Sequence, residues 1–465
     1  MKTMIKTTVK IFATIVCCAV SLLGCSAMRS EYQQPDLVIP ESWSQDSLPN
    51  TSAEISYKWW TSFEDPQLNV LVDKVIASNS DLAKATLVLR KALLEAGINE
   101  NDKMPSLSFS QNSLYEYDFD FQESKKAFGS TLSLNYELDL WHRVDALADA
   151  GELAARASYE SREETAQNLV VTTAMLYWKV GYLNQRLALA NQNIADTKRI
   201  ESITTTKYES GSTTRLEVLE STQNLFEQQV QLSELQQEMS VTQNAISILL
   251  NQPLQDAGIT IDRLSEKRIP DIKAGIPSDL LLRRSDVKAS LYSLKSFLAT
   301  KDAVDAGYWP AFTLTAALNT SSSSLLELLQ NPVATLGSGI VLPFLEWNEM
   351  ELKQSISEVD YQMAVVDYRD TLYKAFEEVA NLLNTKEHYL YQGSVYSEQF
   401  INAQEIERIY ASRYKYGESD MVDLINVMES RRSIESTLLE NRYDQLVIQI
   451  KLYQSLGGGD IISEV

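Results

Sequence analysis

Long stretches of this chain place apolar side chains at alternating steps of three and four. From Leu169 the series runs Leu169, Thr173, Leu176, Val180, Leu183, Leu187, Ala190, Ile194, and a second runs Leu232, Leu235, Met239, Thr242, Ile246, Leu249. That spacing is the seam of a coiled coil rather than the 3.6-residue stripe of an ordinary surface helix. Proline, which breaks helices, is absent between Pro105 and Pro253 and again after Pro343. The pattern predicts one helix over 142–206, ~100 Å long at 1.5 Å per residue, then a turn over 207–214 and a shorter helix over 215–250. A further helix is expected over 67–102.

Ahead of each long helix the period changes to two, the mark of a strand with unlike faces. Leu132, Leu134, Tyr136, Leu138 and Leu140 fall on one face of 129–141, with Thr131, Ser133, Asn135, Glu137 and Asp139 on the other. Leu107 and Phe109 alternate with serines after Pro105, giving a strand over 105–121. Phe312, Leu314, Ala316 and Leu318 alternate with Thr313, Thr315 and Asn319 after Pro310. A fourth strand is expected around Gly339 to Leu345.

These elements occur twice. Ser80-Asp81 and Ser285-Asp286, Pro105 and Pro310, Trp141 and Trp347, Tyr208 and Tyr414, Gly211 and Gly417, and Leu250 and Leu456 stand 205 or 206 residues apart. An ordered ladder at one separation indicates an internal duplication. The expected divisions are 1–24, 25–66, a first repeat over 67–252, a connecting segment over 253–278, a second repeat over 279–456 and a tail over 457–465. The expected class is mainly α with a small β part. Four strands cannot close a membrane barrel, since the smallest common ones need eight, so a barrel would have to be shared between chains.

Composition narrows the setting. Lys2, Lys6 and Lys10 precede an apolar run that ends in Leu22-Leu23-Gly24-Cys25. This reads as a secretory signal with a lipobox, Gly24 lying before the cut and Cys25 carrying lipid. Ser26 after the cysteine resembles bacterial lipoproteins sorted to the outer membrane. Cys17 and Cys18 would leave with the signal, so no disulfide, thiolate metal site or cysteine nucleophile is expected. Loss of the three signal lysines takes the net charge from −22 to −25, which argues against a nucleic-acid partner. After the signal no apolar run reaches 18 residues, so a membrane crossing would be made by strands. His142 and His388 stand in no recognisable ligand pattern, and no cofactor, metal or catalytic constellation is expected.

Taken in order, several motifs resemble the outer membrane factor family of TolC-like channels, in particular the lipoproteins that serve resistance-nodulation-division efflux pumps. They are Cys25 through Tyr32-Gln33-Gln34-Pro35, Trp59-Trp60 with Phe63-Glu64-Asp65-Pro66-Gln67-Leu68, Asn79-Ser80-Asp81-Leu82, Tyr136 to Trp141, and the turn segments Tyr208–Leu219 and Tyr414–Ile425. The resemblance implies a homotrimer in which a transmembrane β-barrel, four strands per chain, continues into a long coiled-coil helical barrel in the periplasm. It implies a lipid-anchored outer-membrane location, a periplasmic adaptor protein and an inner-membrane pump as partners, and passive exit of small molecules.

Residue by residue, Asp423 matches an acid of the tunnel-entrance constriction, and Asn426 stands where another family member has a second acid. Tyr414 matches a tyrosine that holds the closed tip. Glu217 is the counterpart of Asp423 in the first repeat. Gly211 and Gly417 suit helix-reversing turns, which favour left-handed backbone. Three rivals remain at this point: a duct for type I protein secretion, a structural coiled-coil lipoprotein of the envelope, and an envelope enzyme, for which no clustered acid, base or metal site is found.

Overall fold

The computed structural model describes residues 29–40, 43, 58–253, 261–272, 277, 283–459 and 461. The signal segment and Cys25 lie outside them, as do parts of the connecting segment and tail. The principal elements are α1 (Pro66–Ser78), α2 (Ser80–Asn101), β1 (Ser106–Asp118), β2 (Glu123–Leu138), α3 (Arg143–Glu209), α4 (Arg215–Leu249), α5 (Ser285–Ala306), β3 (Ala311–Ser322), β4 (Val333–Val341), α6 (Trp347–Lys415) and α7 (Met421–Ser455). The duplication is visible in the backbone: α4 and α7 are each 35 residues long, and each begins at the same place after its turn. Among the described residues no helix is long and apolar enough to cross a membrane.

Two compact units result. The first draws on 1–38, 87–160 and 288–371, and at its heart is an antiparallel four-stranded sheet in the order β1-β2-β3-β4. Register aligns the faces: Phe109 lies opposite Leu132, Leu132 opposite Leu318, and Leu318 opposite Ala334. A slip of one residue would turn every apolar side chain to the other face. The apolar face is uncovered, with Leu107 68%, Phe109 67% and Leu336 87% exposed. On the other face Ser108 and Ser133 hydroxyls share a hydrogen bond of 2.8 Å, and Thr315 Oγ1 donates to Asn135 Oδ1 at 3.1 Å. The fourth strand is Val333–Val341 rather than 339–345. Pro343, without an N–H, opens a short 3-10 turn instead of joining a ladder. β2 also begins earlier than expected and ends at Leu138, before Leu140.

Beyond β2, Asp139 caps α3: its two oxygens accept from the backbone N–H groups of Val144 at 3.1 Å and Asp145 at 2.8 Å. Trp141 Nε1 donates to the Pro310 carbonyl at 2.8 Å and its ring lies 5.3 Å from that of Trp309. The N-terminal strap is fixed in the same unit. Ser30 donates twice to Asp302, at 2.9 and 2.7 Å, and Lys295 sits 4.9 Å from the centre of the Tyr32 ring.

The second unit draws on 39–86, 161–287 and 372–465. The α3 seam is inside it as its spacing requires: Leu169, Thr173, Val180, Leu183, Ala190 and Ile194 are buried. The same holds for Leu235, Met239, Thr242 and Ile246 of α4. Trp59 stacks on Tyr453 at 5.1 Å and crosses Trp60 edge-on at 5.9 Å; with ~1.5–3 kcal/mol for each large apolar side chain buried, this cluster anchors the segment ahead of α1. The helix expected over 67–102 is instead two, because Asn79 takes an extended conformation between them. Its Oδ1 accepts from the N–H groups of Asp81 and Leu82, starting α2, while its Nδ2 donates to the Leu249 carbonyl. The connecting segment is held by Arg442 of α7, which donates to the Ser265 and Lys267 carbonyls, and by Asn184 of α3, which donates to that of Ile261.

Candidate channel entrance

Both long helices end in the same way. Gly211 has φ 73° and Gly417 φ 78°, values at which a side chain is strained. Gly211 N donates to Tyr208 O at 2.9 Å and Ser212 N to Lys207 O at 2.7 Å; Gly417 N donates to Tyr414 O at 3.2 Å and Glu418 N to Arg413 O at 2.8 Å. Each pair of bonds is a Schellman motif, satisfying carbonyls that the ending helix leaves free. The next helix then starts on a side-chain cap. Thr214 Oγ1 accepts from Glu217 N at 3.4 Å, and Asp420 Oδ1 accepts from Asp423 N at 2.9 Å.

Glu217 and Asp423 therefore occupy one equivalent position, the third residue of α4 and of α7. Local electrostatics favour an acid there, since the helix N-terminus carries partial positive charge. Asp423 and Asn426 are exposed and Glu217 half-buried. Neither carboxylate has a hydrogen-bond or ion-pair partner among the described residues. Tyr414 is half-buried, and the Lys207 ammonium sits 3.9 Å from its ring centre, joining the ends of α6 and α3. The Tyr414 hydroxyl is buried without a partner among the described residues. Tyr208, its counterpart, is 41% exposed, with the Arg215 guanidinium 5.9 Å from its ring centre.

The cap residues Thr214 and Asp420 and the Lys207–Tyr414 contact were missed in the sequence, although a capping residue three before an acid was there to be read. The polar interior behind the turns was missed as well. Ser221, Asn224 and Gln228 of α4 and Thr197 and Thr204 of α3 are buried; they prolong the seam spacing toward the turns with polar side chains.

His142 is less isolated than the sequence suggested, because the turn into α3 gathers Asp139, His142 and Asp145 with one donor atom of each within 4.8 Å of the others. His142 Nδ1 and Asp145 Oδ2 lie 3.1 Å apart, and Lys103 Nζ lies 3.3 Å from Asp145 Oδ1. Those contacts, the His142 bond foremost, hold the Asp145 carboxyl below the usual carboxylate range. With Asp139 spent on the backbone and Lys103 beside Asp145, the trio serves as the start of a helix.

A β-sheet with one uncovered apolar face and two paired helical hairpins capped by glycine turns defines a channel-forming envelope protein. The sequence profile of the outer membrane efflux protein family matches residues 71–252 and 276–458, and the chain belongs to that family. It is an efflux channel protein of the outer membrane, and the two matched segments coincide with the duplicated elements. It is 25% identical over 464 residues to "Toxin and drug export protein A" of Aggregatibacter actinomycetemcomitans, covering 97% of this chain and 98% of that protein. It is 25% identical to "Probable outer membrane lipoprotein SilC" of Salmonella typhimurium over 94% of this chain and 96% of the relative. Among solved structures, the Campylobacter jejuni CmeC outer membrane channel superposes with a TM-score of 0.85 at 21% identity, over 94% of this chain and 96% of that one.

Proposed function

We propose that three copies of this chain, each giving four strands, close one barrel in the outer membrane and continue into a periplasmic helical tunnel. The observation that carries this is the sheet itself. β1 and β4 are its edges, its outer face is apolar and exposed, and backbone groups left unpaired in lipid cost several kcal/mol each. Edges of neighbouring copies satisfy one another, and closure removes them altogether. Trp141 and Trp309 at the strand ends suit the membrane interface, where indole rings are enriched.

The duct is passive: a periplasmic adaptor links the tip to an inner-membrane pump of the resistance-nodulation-division type, which supplies the energy. Drugs and other small molecules are its cargo, and the name of the Aggregatibacter relative keeps protein export as a second reading. Cys25 carries the lipid anchor, in keeping with the lipoprotein named among the relatives. At the entrance, Asp423 and Glu217 each become a ring of three carboxylates, which favours cations over anions. Tyr414 helps close the tip between the Gly211 and Gly417 turns. Purified full-length protein in mild detergent should have the mass of a trimer and conduct ions across a planar bilayer. A stable monomer without conductance would refute the duct. Deleting the gene distinguishes the cargo readings, by retention of drugs or of a secreted protein.

A further inference from the structure

Behind the turns the apolar Val218, Met421 and Leu424 are buried, and the buried Leu235 and Met239 resume the apolar seam further along. Between the two lies a charged side chain that the fold does not fully serve. Arg432 of α7 is only 6% exposed. Its Nη2 donates to Thr197 Oγ1 of α3 at 3.2 Å, and its Nε is buried without a partner among the described residues. Asn193 Oδ1, beside it, is likewise buried and unpartnered. Burial, and after it the neighbouring Arg431, pushes the guanidinium below its ordinary range, against the pull of Glu407, Glu429 and Asp196.

Of the three acids that act on Arg432, Glu407 is held by Arg431 and Asp196 precedes Thr197 on α3, while Glu429 lies on α7 itself and does not pair with Arg432. Glu429 stands three residues earlier on α7, a spacing at which helical side chains meet. Its Oε1 instead accepts from Asn224 Nδ2 of α4 at 2.7 Å. Arg431 is no competitor for it, being held by Glu407 at 2.7 Å and by Glu435. Glu429 and Arg432 both line a cavity of about 460 Å3, so the carboxylate has room to turn.

We propose that Glu429 is a two-position partner: while α4 packs on α7 it holds Asn224, and when the helices part it pairs with Arg432. This rests on the duct proposed above, and adds that its entrance opens by displacement of these helices. Separating an all-apolar seam only exposes apolar surface. Here separation also gives a poorly served buried charge its counter-ion, and a bond to a charged group contributes more than a neutral one. The exchange therefore lowers the cost of opening at this layer.

The test is the frequency of spontaneous openings of full-length protein in planar bilayers, alongside its thermal unfolding midpoint. In Glu429→Gln the amide oxygen still accepts from Asn224 but offers Arg432 no charge, so the midpoint should hold while openings become roughly tenfold rarer. Asn224→Leu releases Glu429 toward Arg432 and should make openings more frequent. If apolar packing alone governed this layer, the added leucine would tighten it and openings would fall. In an Arg432→Met background the gain from Asn224→Leu should disappear. Unchanged openings in Glu429→Gln, or fewer in Asn224→Leu, would overturn the exchange while leaving the channel intact. A wild-type protein without conductance would remove the channel reading and the exchange with it.

Discussion

The hairpin made by α3 and α4 and the hairpin made by α6 and α7 share a backbone and differ in what fills it. Gly211 and Gly417 adopt φ within a few degrees of each other, 73° and 78°, and the two turns make the same pair of backbone bonds. At the same 206-residue offset the side chains part company. Thr214 caps α4 where Asp420 caps α7. Phe226 is 54% exposed where Arg432 is 6% exposed, and buried Thr197 has buried Ala403 as its counterpart. What persists through the duplication is what the backbone requires; what diverges is the packing each hairpin meets. The two hairpins thus differ in their interiors, and near its turn the second buries a charge, Arg432, where the first exposes Phe226.

The largest effect expected from breaking this comparison comes at the glycines, because their constraint is conformational and common to both. A β-carbon at left-handed φ costs ~1–2 kcal/mol, and valine, branched at that carbon, costs more. Gly211→Val and Gly417→Val should each lower the thermal midpoint by a similar amount, read by circular dichroism of the detergent-solubilised protein. Unequal losses would mean that one turn is held by contacts beyond its own backbone.

The caps come next, and here the hairpins should differ. Loss of a capping side chain costs ~1 kcal/mol, and Asp420 has both the shorter bond, 2.9 Å against 3.4 Å for Thr214, and a charge that the helix N-terminus favours. Asp420→Ala should therefore destabilise more than Thr214→Ala in the same thermal measurement. Equal losses would place the difference between the hairpins wholly in their interiors.

Much of this architecture was legible because its signals are periodic. Alternation in Leu132 to Leu138 and in Phe312 to Leu318 marks strands plainly, the proline-free stretches bound the long helices, and the glycines mark their reversals. Periodicity is blind to single residues that redirect the chain. Asn79 broke an expected helix by serving as a cap, and Pro343 drew the fourth strand too far along although it cannot join a ladder. At the turns, Gly211, Gly417, Asp423, Glu217 and Tyr414 could be located by motif and offset. The Asn224, Glu429 and Arg432 layer could not, because a search for apolar seams stops where the seam turns polar. Each compact unit also draws on both repeats, so repeat boundaries read along the chain are not the boundaries of packing.

Asp423 and Glu217 compare the hairpins by charge rather than stability. Both carboxylates lack partners among the described residues, but Asp423 is the more exposed, so in the proposed trimer a ring of three at Asp423 should bind divalent cations more readily than a ring at Glu217. Asp423→Ala should weaken block of bilayer conductance by a divalent cation, and Glu217→Ala should weaken it less. Unchanged block in Asp423→Ala would return that residue to the role of a helix-start acid.

The smallest effect on the folded chain is expected at the two tyrosines. Phenylalanine keeps the ring, so the Lys207 contact with position 414 and the Arg215 contact with position 208 both survive. Only the hydroxyls go, and the Tyr414 hydroxyl has no partner among the described residues, so Tyr414→Phe breaks no hydrogen bond among them and should leave the thermal midpoint close to its wild-type value. A buried hydroxyl is costly to leave unpaired, and in the proposed trimer a neighbouring copy offers a partner. The expected result is a thermal midpoint unmoved in Tyr414→Phe together with raised conductance, as the closed tip loses a bond between chains. Tyr208→Phe, whose side chain is more exposed, should change neither quantity. If Tyr414→Phe left conductance at the wild-type level, the hydroxyl would have no partner across the interface, and the glycine turns and acids alone would shape the tip.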